Sequence, residues 1–439
     1  MLYGLLLTVG TSAEGVSEAA DACATVEVSN GTEAALRAAQ ARARQAMAGS
    51  RGAQCVEVQL GSHRFELSTP LELTAADSHT QYVGKSASIS GAVSVPASAL
   101  APLSLAQQKL FKPTVVDNVR AISLTSLGVN PGHLKPLAYA GGNACIMANV
   151  YRALGAELFD GQHQMRMARW PQVSNPPAAS DWAHIIAANS STNPQNWSSV
   201  AVALNNTDQL KRWQEQVARG GQVYTHGLWE QNWADTHRRI EQVSEFATGA
   251  NGTFARLALG HACDAVPKAS IEDWSCDGDA EVTSGNTHGG QGGHFYIYNA
   301  LYELDSPGEY AIDHGTATVF VWPFSSRAGT EKRSGLYVTN ATTLVAGTGA
   351  QNVSFRGVDF SGSRGSAVVL KDCRDVVIRD GLIRQVGLNA FNVSGGQRCG
   401  LSNVSVSLAG TFSQTYGSVP TVILHINGVT CCWNQAKAV

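Results

Sequence analysis

The clearest pattern lies in the last third of the chain, where apolar residues return at a fixed interval. Phe355-Arg356-Gly357-Val358-Asp359-Phe360 is followed by Ile378-Arg379-Asp380-Gly381-Leu382-Ile383 and then by Leu401-Ser402-Asn403-Val404-Ser405-Val406, 23 residues apart each time. Phe355, Ile378 and Leu401 share one slot, and Phe360, Ile383 and Val406 share another. Stacked solenoid repeats need this, because equivalent side chains must build one continuous core. Second apolar segments, Ala367–Leu370 and Ala390–Val393, keep the same interval. The alternative is a β-sandwich, whose strands recur every ~8 to 12 residues. The longer period predicts a mainly β chain containing a right-handed parallel β-helix.

Upstream, Thr32 can cap a helix that runs on to Met47, in an Ala- and Arg-rich segment with apolar residues at helical spacing. Alternating strands follow at Cys55–Leu60, His63–Leu67, Pro70–Thr74, Ser88–Gly91 and Val93–Val95, separated by turn residues. The middle is richer in Trp, His, Asn and Pro, with helical pieces predicted over Asp208–Ala218 and Asp235–Phe246. The expected organisation is a signal peptide over residues 1–20, a helix cap with the first strands over 21–95, an inserted α+β accessory region over 96–267, parallel repeats over 268–410 and an irregular tail over 411–439. That tail has neither the repeat spacing nor a capping element, and an open solenoid end needs a cap. The expectation is therefore a chain that is C-terminally incomplete.

Composition narrows the function classes. Of 439 residues, 44% are hydrophobic and 15% charged, with a net charge of -3, which suits a globular fold and gives no reason to expect nucleic acid or an anionic membrane as partner. No segment is long and apolar enough to read as a membrane span. The run Leu2–Val9, followed by Thr11-Ser12-Ala13, reads either as a signal peptide or as a buried first strand. Glycosylation sequons stand at Asn30, Asn189, Asn196, Asn205, Asn251, Asn340, Asn352, Asn392 and Asn403, and nine cysteines match no zinc spacing. Cys23 and Cys55 bracket the first helix, and Cys263 and Cys276 are close enough to staple one loop, so disulfides with one thiol left over are the expectation. Both counts favour an extracellular protein.

Several ordered segments carry a family resemblance. Leu301-Tyr302-Glu303-Leu304-Asp305-Ser306-Pro307-Gly308-Glu309-Tyr310 followed by Ala317–Pro323, with Leu158–Gly161, Met167–Pro171, Gly227–Asp235 and His288–Gly293 in the same order, resembles the large right-handed β-helix proteins related to α-L-fucosidase and xylanase-type glycoside hydrolases, a pectin-lyase-like fold. The resemblance runs roughly from Leu60 to Gly396. It implies a carbohydrate-active protein whose catalytic acids are expected on later repeats. Within it, Asp305–Glu309 reads as a turn, with Pro307 presetting φ and Gly308 supplying a positive one. The Gly-rich loop Gly285–Gly293 lacks the Lys-Ser/Thr of a phosphate cradle and reads as a connection, with His288 and His294 as surface polar contacts.

Candidate chemistry is sparse. Arg169, Trp170, His226, Trp229 and Trp233 are the types that line sugar clefts, since a flat ring covers the apolar face of a pyranose while polar groups take its hydroxyls. The same types also pack an accessory layer. Glycoside hydrolysis needs two carboxyl groups about 5 to 9.5 Å apart, and neighbouring repeats are spaced by about 4.7 to 4.9 Å. Asp359, Asp372 and Asp380 are therefore the catalytic candidates, with Asp375 beside them. The alternative for Asp372 and Asp375 is a polar turn around Cys373-Arg374, and for Asp359 and Asp380 ordinary strand slots one residue out of register with each other. A polysaccharide lyase would need a Lys or Arg base and often calcium, and no such cluster is evident. The reading is a secreted, monomeric, cofactor-free glycoside hydrolase-like protein acting on a cell-wall polysaccharide, lacking its catalytic repeats. The alternative is a non-catalytic carbohydrate-binding or cell-surface scaffold.

Overall fold

The computed structural model describes residues 23–49, 54–129, 156–174, 179–189, 198–228, 235–249, 252–260, 294–324, 335–410, 424–427 and 434–438. The chain is mainly β and divides into two units, one built from both ends of the sequence and one from residues 93–340.

In the first unit two sheets are parallel throughout. One runs Ala24–Glu27, Val56–Gly61, Thr80–Ser90, Gln351–Ser363, Arg374–Val386, Gly400–Ala409 and Asn434–Ala438. The other runs Leu71–Leu73, Val345–Thr348, Val368–Lys371, Phe391–Ser394 and Leu424–Asn427. The slots read from the spacing pair as expected: Phe355 with Ile378, Ile378 with Leu401, Phe360 with Ile383 and Ile383 with Val406. All six are buried, and inward residues of both sheets join one core. The last two strands lie in the tail expected to be irregular. Asn434 stands opposite Leu401, 33 residues on instead of 23, so a fixed-interval search passes over it.

Corners explain why the alternation is not simple. Phe355 and Val358 are three residues apart, yet both are buried, as are Leu401 and Val404. Between them sit Gly357 and Asn403 with φ of 65° and 51°, a left-handed turn that resets which side chains face inward. The same backbone recurs at 23-residue steps: Gly349, Asp372 and Gly395; Asn352, Asp375 and Arg398; Gly357, Asp380 and Asn403; Gly362, Gln385 and Leu408 all have positive φ. Gly, Asn and Asp dominate because they tolerate that region best.

The helix Glu33–Gly49 forms where its spacing predicts, with the Thr32 hydroxyl accepting the Ala35 N–H at 3.2 Å. It buries Leu36, Ala39 and Ala43 against Val56, Val58 and Phe65. The Cys23–Cys55 disulfide closes the loop that contains it. Cys373 and Cys399 are buried thiols, more than the single thiol expected.

The second unit holds a five-stranded sheet around the hairpin Glu309–Asp313/Thr318–Trp322 and a larger sheet around His294–Tyr298. Helix Thr207–Ala218, capped by the Asn206 side chain on the Gln209 N–H at 2.8 Å, contributes Leu210 and Trp213 to the core that also holds Phe295 and Ile297. Asp235–Phe246, expected as helix, lies instead in the strand Asp235–Gly249, paired with Tyr224–Leu228 and Gly252–Leu259. The reason is a bulge between Ile240 and Gln242. It puts Ile240 and Val243 both inward, and a three-residue apolar spacing is the mark of a helix when read without partners. The signal segment, Trp229, Trp233, Asn196, Asn251, Cys263, Cys276, His288 and the Gly-rich loop lie outside the described residues.

Candidate functional site

Strand His294–Tyr298 organises the site. It pairs with Tyr224–Leu228 on one side and with Arg169–Trp170 and Ala183–His184 on the other. Its alternation sends Phe295 and Ile297 into the apolar core and leaves His294, Tyr296 and Tyr298 on the opposite face. Register then decides their neighbours: Tyr224 stands opposite Tyr298, His226 opposite Tyr296, Arg169 opposite Tyr298 and His184 opposite His294.

The face is aromatic and cationic. Tyr224 and Tyr298 stack at 5.6 Å, and His226 meets Tyr296 edge-on at 5.0 Å. The Arg169 guanidinium lies 3.6 Å over the Tyr296 ring, its Nε donating to the Pro171 carbonyl at 3.0 Å. Trp182 packs edge-on against His294 at 5.0 Å and Tyr296 at 5.3 Å. Tyr224, His226, Tyr296 and Tyr298 are buried, Trp182, Arg169 and His294 are half-buried, and His184 is exposed. Burial pulls Arg169 down to about 10, against the opposing pull of Tyr296, so it stays cationic at neutral pH. The buried rings form the base of this face, and the half-buried Trp182, Arg169 and His294 and the exposed His184 are the part of it open to a ligand, of the ring and polar types that contact sugars.

Of the residues proposed from sequence, Arg169 and His226 come together here. Trp170 does not, because it points to the other side and meets Trp213 edge-on at 5.4 Å. Trp182, Tyr224, Tyr296 and Tyr298 were missed, although the alternation His294-Phe295-Tyr296-Ile297-Tyr298 carries the signal.

A second polar group surrounds the predicted turn. Gly308 has φ of 86°, and Glu309 Oε2 accepts the N–H groups of Asp305 and Ser306, both at 3.0 Å. The other oxygen, Oε1, is buried without a hydrogen-bond partner. Burial pushes the Glu309 carboxyl up to about 7. Glu303, almost wholly buried, accepts from Gln209 Nε2 at 3.0 Å and Trp213 Nε1 at 2.9 Å, with Lys112 Nζ 3.6 Å away. Burial raises its pKa as well, opposed first by Lys112.

In the first unit, Asp359 is half-buried and accepts the Leu382 N–H at 3.1 Å. Burial raises its pKa, and that N–H and Arg384 oppose the rise. Asp372 and Asp380 occupy left-handed corners, the latter accepting from the Asn403 amide at 2.7 Å, while Asp375 accepts from Arg398 Nε and Nη2 at 2.5 and 2.6 Å. Among the described residues no group of three or more His, Cys, Asp or Glu is placed to hold a metal ion. Of the sequons, Asn30, Asn205, Asn352 and Asn403 are exposed, Asn392 is half-buried, Asn340 is buried, and Asn189 lies in the strand Ala187–Asn189.

No protein-family model matches the chain, and no curated protein sequence matches it. Among solved structures it is similar to one titled "Glycoside hydrolase", with 14% identity, covering 89% of this chain and 74% of that one at a TM-score of 0.51. A second, titled "The complex structure of XylC with xylose", shares 8% identity over 84% of this chain and 51% of that one, and its TM-score of 0.34 carries no argument. The first likeness is one of fold.

Proposed function

We propose that the chain is a secreted, carbohydrate-directed protein of the glycoside hydrolase type, acting on a cell-wall polysaccharide, with its first unit a right-handed parallel β-helix. The observation that carries this reading is the shared fold with the structure titled "Glycoside hydrolase" across 89% of the chain. The half-buried Trp182, Arg169 and His294 and the exposed His184, grouped over the buried Tyr296, support it as ring and polar types that contact sugars. Parallel pairing at a constant 23-residue step supports the β-helix, since a hairpin-built sandwich pairs antiparallel.

Hydrolysis needs one carboxyl that holds a proton and a second that does not. Asp359 suits the first role, being half-buried with a raised pKa, and Asp372 or Asp380 would supply the second. The engagement of Asp380 by Asn403 favours the other reading, a non-catalytic glycan-binding scaffold. Incubating the purified chain with a glycan panel, while measuring retention and new reducing ends, separates the two. Sugar release that disappears in Asp359→Asn is expected for the hydrolase. Retention without release supports the scaffold, and neither retention nor release overturns both.

A further inference from the structure

The parallel repeats of the first unit carry a charge arrangement that the fold does not need. Arg356 and Arg379 stand directly opposite each other on neighbouring strands, and both are exposed. Adjacent strands lie about 4.7 to 4.9 Å apart, so two like charges are stacked where they repel. Among the described residues neither guanidinium has a hydrogen-bond or ion-pair partner. The next ladder positions, Val83 beyond Arg356 and Ser402 beyond Arg379, bring no acid. Asp380 follows Arg379 in sequence, but its carboxylate takes the Asn403 amide. Elsewhere on these repeats a cation is matched, as Arg398 is by Asp375.

We propose that Arg356 and Arg379 form an anion-binding surface for the carboxylate or sulfate groups of an acidic polysaccharide. Guanidinium forks grip such groups in pairs of parallel hydrogen bonds. An anion placed between the two also removes their repulsion, so binding gains what the free protein lacks. The proposal rests on the carbohydrate reading only in taking a polysaccharide as carrier of the anion; it needs neither hydrolysis nor the aromatic face.

The test is titration of the whole chain with polygalacturonate, dextran sulfate and neutral xylan, in the parent and in the double variant Arg356→Gln/Arg379→Gln. The parent should bind an acidic polymer, and the double variant should lose roughly tenfold or more in affinity. About 1 M salt, where charges are screened within ~3 Å, should abolish that binding. The tighter of the two acidic polymers identifies carboxylate or sulfate. Neutral xylan should bind both proteins alike; its failure to bind either weakens the aromatic-face reading and leaves this one standing. Thermal melting of the Gln variant should not fall below the parent, because a repulsive pair is gone. A second double variant, Arg356→Lys/Arg379→Lys, keeps the charges and should lose part of the affinity with the forks. Unchanged affinity for both acidic polymers in the Gln variant, or no acidic binding by the parent, overturns the proposal.

Discussion

Glu309 is where one side chain links packing to solution behaviour. Burial is the largest cause of its rise to about 7, eased by the Asp305 N–H and reinforced by the Asp305 charge. The folded chain thus holds a proton that the unfolded chain releases near the ordinary value of 4.5. Its stabilisation is fully present below 4.5 and is lost as pH rises through 7. His314 acts in the opposite sense, since burial takes it down to about 4 and its contribution is lost as pH falls. Glu309→Gln isolates the first effect: it should flatten the pH dependence of urea unfolding between pH 5 and 8 and gain up to ~3 kcal/mol over the parent at pH 8. A parent and variant with parallel pH profiles would show Glu309 titrating normally. At this scale the Asp305–Glu309 turn was legible in the sequence, because Pro and Gly declare backbone preferences locally. The pKa of Glu309 was not, because it depends on what covers the carboxyl.

The elements of the first unit are set by corners as much as by strands. Gly357 and Asp380 occupy equivalent corners on successive repeats, with φ of 65° and 56°, yet they differ in what surrounds them. A Cβ on Gly357 would lie 2.5 Å from the Gly84 carbonyl oxygen, besides the cost of a left-handed non-glycine residue. Gly357→Ala should therefore destabilise by about 2 to 4 kcal/mol. Asp380→Gly relieves strain and loses the Asn403 bond, so it should stay within ~1 kcal/mol of the parent. Urea midpoints of the two variants settle the comparison, and equal losses would refute it. The second unit supplies the contrasting case. Asn206 and the amphipathic run after it declare a helix through local capping and spacing. In Asp235–Gly249 the bulge after Ile240 imitates helical spacing, and only the pairing of partner strands distinguishes the two.

At the scale of the whole molecule, the stacked slots make stability a sum of neighbour contacts. Phe360 and Ile383 are adjacent in one ladder, whereas Val406 is one strand further on. A double-mutant cycle on Phe360→Leu and Ile383→Val should show coupling of about 0.5 kcal/mol or more, while Phe360→Leu with Val406→Ala should add within ~0.5 kcal/mol. Equal coupling in both cycles would argue against a ladder-wise core. The sequence by itself determined the 23-residue period, the first helix with its cap and the mainly β class, because each follows from local propensity or from a repeat that must present the same side chains to one core. Tertiary structure alone decided the rest. It brought Arg169 onto Tyr296 from more than a hundred residues away, turned Trp170 to the opposite side of the sheet and stacked Arg356 on Arg379. Register and face are properties of paired strands, and a single strand read alone has neither.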